Sequence, residues 1–316
     1  MRAYLLTRLS AMTLTLLGVS VLVFAMIRLV PGTVVEQLLG QAAIASPEVL
    51  ASFRRFFGLD RPLHVQYLAW LGGVVRGGLG TSWLSGRPVL GLFLERVPVS
   101  AELAVLAVGW SLCLGIPLGV ASATRPGGTR DGLIRVLATL GLALPAFWQG
   151  TVLILVFSVY LGWMPSLQWV PFLRDPAANL LIMVLPALTL GTATAAMITR
   201  MSRSSMLDVL GREFVRTAQA KGLADRCVTY HHALRNALIP VVTVAGVQLG
   251  YVVGGLVVVE DVFTLPGVGR LLLDAIFQRD YPVVQGVILL LAATFMALNL
   301  AVDLLYAVLD PRLRRG

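Results

Sequence analysis

Charge is scarce in this sequence. Of its 316 residues, Asp, Glu, Lys and Arg make up 13%, hydrophobic residues make up 57%, and mean hydropathy is +0.84. That balance excludes the pair of ordinary soluble domains that length alone would suggest and belongs to membrane chains. Lysine is nearly missing. Lys221 is the single one, so arginine carries almost all of the formal +9. The arginines sit in short stretches between apolar runs, without an aromatic-interleaved basic face or zinc-knuckle spacing, which argues against a nucleic-acid partner. Cysteine is limited to Cys113, in an apolar run, and Cys227, in a basic loop. These are free thiols rather than a disulfide framework. Of the few histidines, His64 is isolated. His231 and His232 are adjacent, so on a helix they point roughly 100° apart, and no acid or cysteine completes a metal set. No Gly-x-x-x-x-Gly-Lys-Ser/Thr loop occurs, and Lys221-Gly222 has the wrong order for one. The chain therefore does not bind ATP in the P-loop manner. No Ser/His/Asp or paired-carboxylate pattern lies in the apolar runs, which reads as a protein that is not an enzyme.

What is present is length of apolar run. Six segments lack charge for the roughly 20 residues a helix needs to span a bilayer: Leu9–Ile27, Leu103–Thr124, Val136–Leu161, Leu180–Thr199, Ala237–Val259 and Val283–Val302. No small-residue cleavage site follows the first, so it reads as a retained helix rather than a signal peptide. Arginine placement sets the orientation. Arg2 and Arg8 precede the first span. Arg125, Arg130 and Arg135 join the second to the third, and Arg200, Arg203, Arg212, Arg216, Lys221, Arg226 and Arg235 join the fourth to the fifth. Arg312, Arg314 and Arg315 close the chain. The alternate connections are poorer: Arg174 in one, and Arg270 and Arg279 against four acids in the other. Both termini and the fourth-to-fifth connection are thus expected in the cytoplasm. The long connection 31–101 falls outside despite its arginines, because long loops translocate largely regardless of charge. Within this external subdomain Ser46-Pro47-Glu48 is a helix start, Phe53, Phe56 and Phe57 give it an apolar face, and Gly58 ends it.

The segment 206–235, and above all Gly211–Pro240, is polar and basic between two spans. From Met206, the positions Met206, Leu210, Phe214, Thr217 and Lys221 (by its stem) recur every three to four residues, which predicts one helical stripe. Arg212, Glu213, Arg216 and Gln219 fall off it, and Ala218, Ala220 and Gly222 are small enough for close approach. Such a helix suits an anionic lipid surface. It equally suits a partner protein that pushes on it.

Inside the spans the polar groups are few. Gln149, Gln248, Gln285 and Asn299 lie in or at the edge of them, suited either to interhelical hydrogen bonding or to lining a wet pathway. The six cores contain no Asp, Glu, Lys, Arg or His, and Glu102 and Asp303 stand at helix ends. An ion-coupled secondary transporter normally places ionisable groups near the midplane, so that class is weakened, though backbone carbonyls can bind sodium. No selectivity-filter sequence points to a channel. Gly246, Gly250 and Gly254 share one face of the fifth span and permit close packing.

The residues also carry a family resemblance. Arg216-Thr217-Ala218-Gln219-Ala220-Lys221-Gly222-Leu223, followed by His232-Ala233-Leu234-Arg235-Asn236-Ala237-Leu238, resembles the coupling loop of ABC-importer permeases, in the dipeptide, oligopeptide and nickel branch. That loop generally begins Glu-Ala-Ala. Here Arg216 and Thr217 stand in its first two places, a departure the peptide branch shares, and the glycine at the sixth position is kept as Gly222. Phe57-Gly58-Leu59-Asp60-Arg61-Pro62-Leu63 and Gly77-Gly78-Leu79-Gly80-Thr81-Ser82 are similar to the external region, although Gly78 replaces a usual Asp. Pro31-Gly32-Thr33-Val34 stands where the family tends to read Pro-Gly-Asp-Pro. Leu144-Pro145-Ala146-Phe147-Trp148, Val259-Glu260-Asp261-Val262-Phe263, Arg279-Asp280-Tyr281-Pro282 and Leu309-Asp310-Pro311-Arg312 continue the match in one register along the chain.

The resemblance implies an all-α polytopic membrane protein of six transmembrane helices with the type I ABC-importer permease fold, one domain over 1–316. It implies a second homologous permease subunit, two ABC ATPase subunits that bind ATP and Mg, and an extracytoplasmic substrate-binding protein, in a bacterial or archaeal cytoplasmic membrane. Glu213, Arg216, Lys221 and Asp225 would make polar contacts with the ATPase, while Thr217, Ala218, Gly222 and Leu223 complete the coupling surface. The implied cargo is a dipeptide or oligopeptide. Nickel chelate, glutathione or another small solute remain alternatives.

Overall fold

The computed structural model of the protein describes residues 2–29, 47–56, 58–163 and 168–309. The Ser46 cap, the Pro31–Val34 match and the 310–316 tail lie outside them. Every regular element among the described residues is a helix. They are α1 (Arg2–Leu29), α2 (Pro47–Phe56), α3 (Leu63–Val75), α4 (Val89–Ala123), α5 (Thr129–Ala143), α6 (Ala146–Leu155), α7 (Pro176–Leu210), α8 (Glu213–Ala220), α9 (Leu234–Val262), α10 (Val268–Phe277) and α11 (Tyr281–Leu309). Wider π-type turns extend α6 through Val156–Tyr160 and, after a single helical turn at Asp225–Cys227, lead into α9 through Val228–Ala233.

Among the described residues, five stretches are long and apolar enough to cross a membrane: Leu6–Leu29, Val89–Ala123, Pro176–Leu210, Asp225–Val262 and Tyr281–Leu304. Each is longer than the uncharged run that marked it. The sixth, expected as Val136–Leu161, is two helices, α5 and α6, meeting at 106°. The cause is local. Pro145 removes a backbone donor and forces the preceding residue out of helical conformation. Leu144 has ψ 127° and Pro145 ψ 141°. Gln149 Nε2 reaches back to the Leu144 carbonyl at 2.8 Å, satisfying one of the groups the break releases.

The backbone groups into two compact units. The first comprises Met1–Pro98, Gly267–Leu300 and Pro311–Gly316. In it α1 packs on α3: the Ser20 and Tyr67 hydroxyls lie 2.9 Å apart, and Phe24 meets Tyr67 edge-on at 5.2 Å. Arg28, at the end of α1, donates to Gln66 Oε1 at 3.2 and 3.0 Å. Leu79, Val89 and Phe93 form a core with Val268, Leu272, Val283 and Val287. Buried Asp280 fastens the 80–88 turn by accepting from Ser82 Oγ at 2.5 Å and the Trp83 amide at 3.1 Å.

The second unit comprises Val99–Pro266 and Ala301–Asp310. Leu103 and Ala107 of α4, Met183 and Leu190 of α7, and Val252, Leu256 and Val259 of α9 make its larger core. Small residues let α4 and α7 touch backbone to backbone. A Cβ on Gly119 would stand 2.7 Å from the Thr199 carbonyl and collide with Ser202, and one on Gly191 would stand 2.7 Å from the Ala107 carbonyl. This is the small-residue packing typical of membrane helices. In the fifth span the glycines differ: Gly254 faces open space, whereas a Cβ on Gly255 would stand 2.7 Å from Leu190.

Candidate functional site: the coupling segment and an amide-lined cavity

The segment after α7 is anchored by two small apolar side chains. The main chain leaves the helix at Gly211 and turns extended at Arg212 (ψ 151°), so α8 starts with a new rotational phase. Glu213 occupies its first turn, where a carboxylate suits the helix dipole. Val215 is wholly buried and Ala218 nearly so, packed with Val120, Ala123, Met206, Val209, Val228, Ala233 and Ala237. Ser205 Oγ ties α7 to the Ala237 carbonyl at 2.8 Å. The helix stops at Gly222, which takes φ +77°; its amide bonds the Gln219 carbonyl at 2.9 Å and the Leu223 amide reaches Ala218 at 3.4 Å.

This corrects the expected stripe. Met206 is buried, but Phe214, Thr217 and Lys221 are exposed, because the break at Gly211–Arg212 resets the phase that a continuous helix would have kept. Of the expected coupling residues, Glu213, Arg216, Thr217, Lys221, Gly222, Leu223 and Asp225 lie on the exposed side. Ala218 does not: it faces the core. Thr217 Oγ1 is already engaged with the Glu213 carbonyl at 3.0 Å.

Near this segment the structure ties helix ends together through buried carboxylates. Asp131, 1% exposed, accepts from Ser122 Oγ at 2.5 Å, Arg203 Nε at 2.7 Å, Arg203 Nη2 at 2.9 Å and the Gly127 amide at 2.9 Å. Arg203 was visible as one basic residue among many. The signal that separates it is a lone acid, Asp131, in a loop otherwise rich in arginine. Glu260 was likewise read only as part of a motif. It is fully buried and accepts from Ser100 Oγ at 2.5 Å.

The four intramembrane polar residues divide between the units. Gln149 and Gln248 line one cavity of about 560 Å³ between α6, α7 and α9, walled by Leu190, Met197, Val244, Val247 and Val252. Its hydroxyls include Thr189, already bonded to the Leu185 carbonyl at 2.9 Å, and exposed Tyr251. No Asp, Glu, Lys, Arg or His lines it. Gln285 and Asn299 belong to the first unit. Gln285 is 4% exposed, and its Nε2 is buried without a hydrogen-bond partner.

Residues 115–315 match the family described as binding-protein-dependent transport system inner membrane component, and residues 1–104 match the N-terminal region of the same membrane components. The chain belongs to this family. It is a permease with the all-α, type I ABC-importer fold. The glutathione transport system permease protein GsiC of Salmonella typhimurium is 41% identical to it over 314 residues, 98% of each chain. The di/tripeptide transport system permease protein DppB of Pseudomonas aeruginosa is 40% identical over 334 residues, 99% of each. A putative peptide transport system permease protein of Brucella abortus is 41% identical over 314 residues, again 99% of each. The permease is thus a multi-pass inner-membrane component of a bacterial transport system, and its relatives are named for glutathione and peptide transport.

Proposed function

We propose that this permease carries dipeptides or oligopeptides inward by alternating access, driven by ATP hydrolysis in separate subunits. One observation carries the coupling half of this reading: a short helix whose charged side chains are exposed while Val215 and Ala218 root it in the helix ends. A partner pressing on Glu213, Arg216, Lys221 and Asp225 would load α4, α7 and α9 through that root. The working assembly contains a second homologous permease subunit, two ATPases holding ATP and Mg, and an extracytoplasmic binding protein that delivers cargo. Both termini and the coupling segment lie on the cytoplasmic side, as the arginine distribution favours.

The cargo reading rests on the relatives' names and on the cavity. Walls without ionisable groups, carrying the Gln149 and Gln248 carboxamides, suit the amide groups of a peptide and offer little to a bare metal ion. Glutathione is the second reading, because it is itself a tripeptide and names the relative GsiC. Purification of the solubilised chain from its native cells tests the assembly. Two P-loop ATPases and a second six-span subunit are expected to co-purify, and proteoliposomes of that complex with its binding protein should accumulate labelled dipeptide only with ATP. A homo-oligomer that transports without ATPase would overturn the reading in favour of an ion-coupled carrier.

A further inference from the structure

We propose that Asp131, Arg203 and Ser122 act as positioning residues: a polar brace that makes the ends of α4, α5 and α7 follow the coupling segment as one body. The proposal rests on the ATP-coupled reading above and names the residues through which coupling would pass.

The brace joins the α4–α5 corner to α7, whose Arg203 lies 72 residues beyond Asp131 in the chain. Asp131 stands in the first turn of α5, Ser122 in the last turn of α4, Gly127 in the loop between them, and Arg203 on α7. Arg203 places two guanidinium nitrogens on the two oxygens of one carboxylate, a fork geometry that fixes orientation as well as distance. The Ser122 hydroxyl and Gly127 amide occupy remaining acceptor positions, so rotation of the carboxylate would break several bonds at once. Arg203 Nε also lies 3.0 Å from Ser122 Oγ, closing the triangle. A lone ion pair at the surface would be slack, but Asp131 is buried, where loss of a partner is not repaid by water.

The position of the brace gives it a mechanical role. Arg203 precedes the end of α7 by about two turns. The residues flanking Ser122 in α4 feed the same apolar cluster that holds α8: Val120 and Ala123 pack with Met206 and Val209 of α7 and with Val215 and Ala218 of α8. One turn above, Gly119 brings the α4 backbone against Thr199 and the Arg203 amide, leaving no gap in which the helices could slide. A displacement of α8 therefore meets α4 and α7 through close-packed side chains, and the brace adds α5 to the moving group. Without it, α8 would drag α4 and α7 while the start of α5 lagged. In the ATP-coupled cycle proposed above, that lag would leave the broken α5–α6 span behind and waste part of the stroke.

The test uses the complete transporter in proteoliposomes, with binding protein, measuring peptide uptake and ATP hydrolysis together. In Asp131→Asn the carboxamide keeps the shape but loses the charge that grips the guanidinium. ATPase subunits should still co-purify and hydrolysis should persist, while peptide moved per ATP falls roughly tenfold. The exchange variant Asp131→Arg with Arg203→Asp should recover part of that ratio. Uptake and hydrolysis falling in proportion, or an unchanged ratio, would overturn the brace. Should Asp131→Asn fail to insert, Ser122→Ala removes one bond without a charge, and the same fall in ratio, smaller in size, is expected; an unchanged ratio there also overturns it. Absence of ATPases from the wild-type preparation would instead sink the coupling reading itself.

Discussion

Between Gly211 and Asp225 the charged groups are in the open and the two apolar anchors are hidden, whereas in the cavity the walls are apolar and the amides are held among them. Both belong to the second unit, and both are polar features of an apolar chain. The difference follows from the surroundings. A segment that meets a partner from water can display Arg216 and Lys221 at little desolvation cost and needs buried Val215 only as a root. A surface inside the hydrocarbon layer cannot display charge, so neutral carboxamides are the strongest groups it can present.

The contrast can be broken most severely at the root. Val215→Asp would bury a carboxylate among Val120, Met206 and Val228, at a cost of about 3 kcal/mol or more. Limited proteolysis should then cut between Arg212 and Asp225 while the spans stay inserted; unchanged protection would mean that Val215 is not the anchor. Gly119→Leu comes next, with overpacking of about 1–3 kcal/mol expected to lower the thermal midpoint of the solubilised protein.

At Gly222 the comparison is sharpened by size. A Cβ there meets nothing within 4 Å, so Gly222→Ala should cost only the left-handed strain of about 1–2 kcal/mol, visible as a small loss of thermal stability. Gly222→Trp adds bulk that only a partner would feel. It should uncouple transport from hydrolysis while leaving insertion intact, and loss of insertion would make Gly222 a folding residue instead. The smallest effect belongs to Gln248→Leu, which should weaken peptide transport through KM and leave the transport-to-hydrolysis ratio alone. A change in that ratio would move Gln248 from the cavity to the coupling machinery.

The spans were legible because hydrocarbon imposes a minimum apolar length, and the coupling segment was legible because charge between two spans is rare. What the sequence hid was phase and partnership. Val215 and Ala218 turn inward because the chain leaves the helix at Gly211, a change of direction that periodicity counted from Met206 cannot register. Asp131 and Arg203 are 72 residues apart, so although Asp131 stands alone among arginines, nothing local names Arg203 as its partner. Gln149 stood out as a polar group in a span, yet its amide nitrogen is spent on the carbonyl that Pro145 leaves open. Long-range partners are set by the fold, whereas caps, breaks and span lengths are set nearby.

The fastening of the 80–88 turn by Asp280 bears on how the molecule is made. Ser82 and Asp280 are 198 residues apart, so at ribosomal rates the turn waits about 10–40 s for its partner. During that interval Leu79, Val89 and Phe93 also lack the α10 and α11 side chains that later cover them. The first unit is therefore finished only when nearly the whole chain has been synthesised. A truncation before Asp280 would leave that nascent surface for insertion factors and proteases to handle.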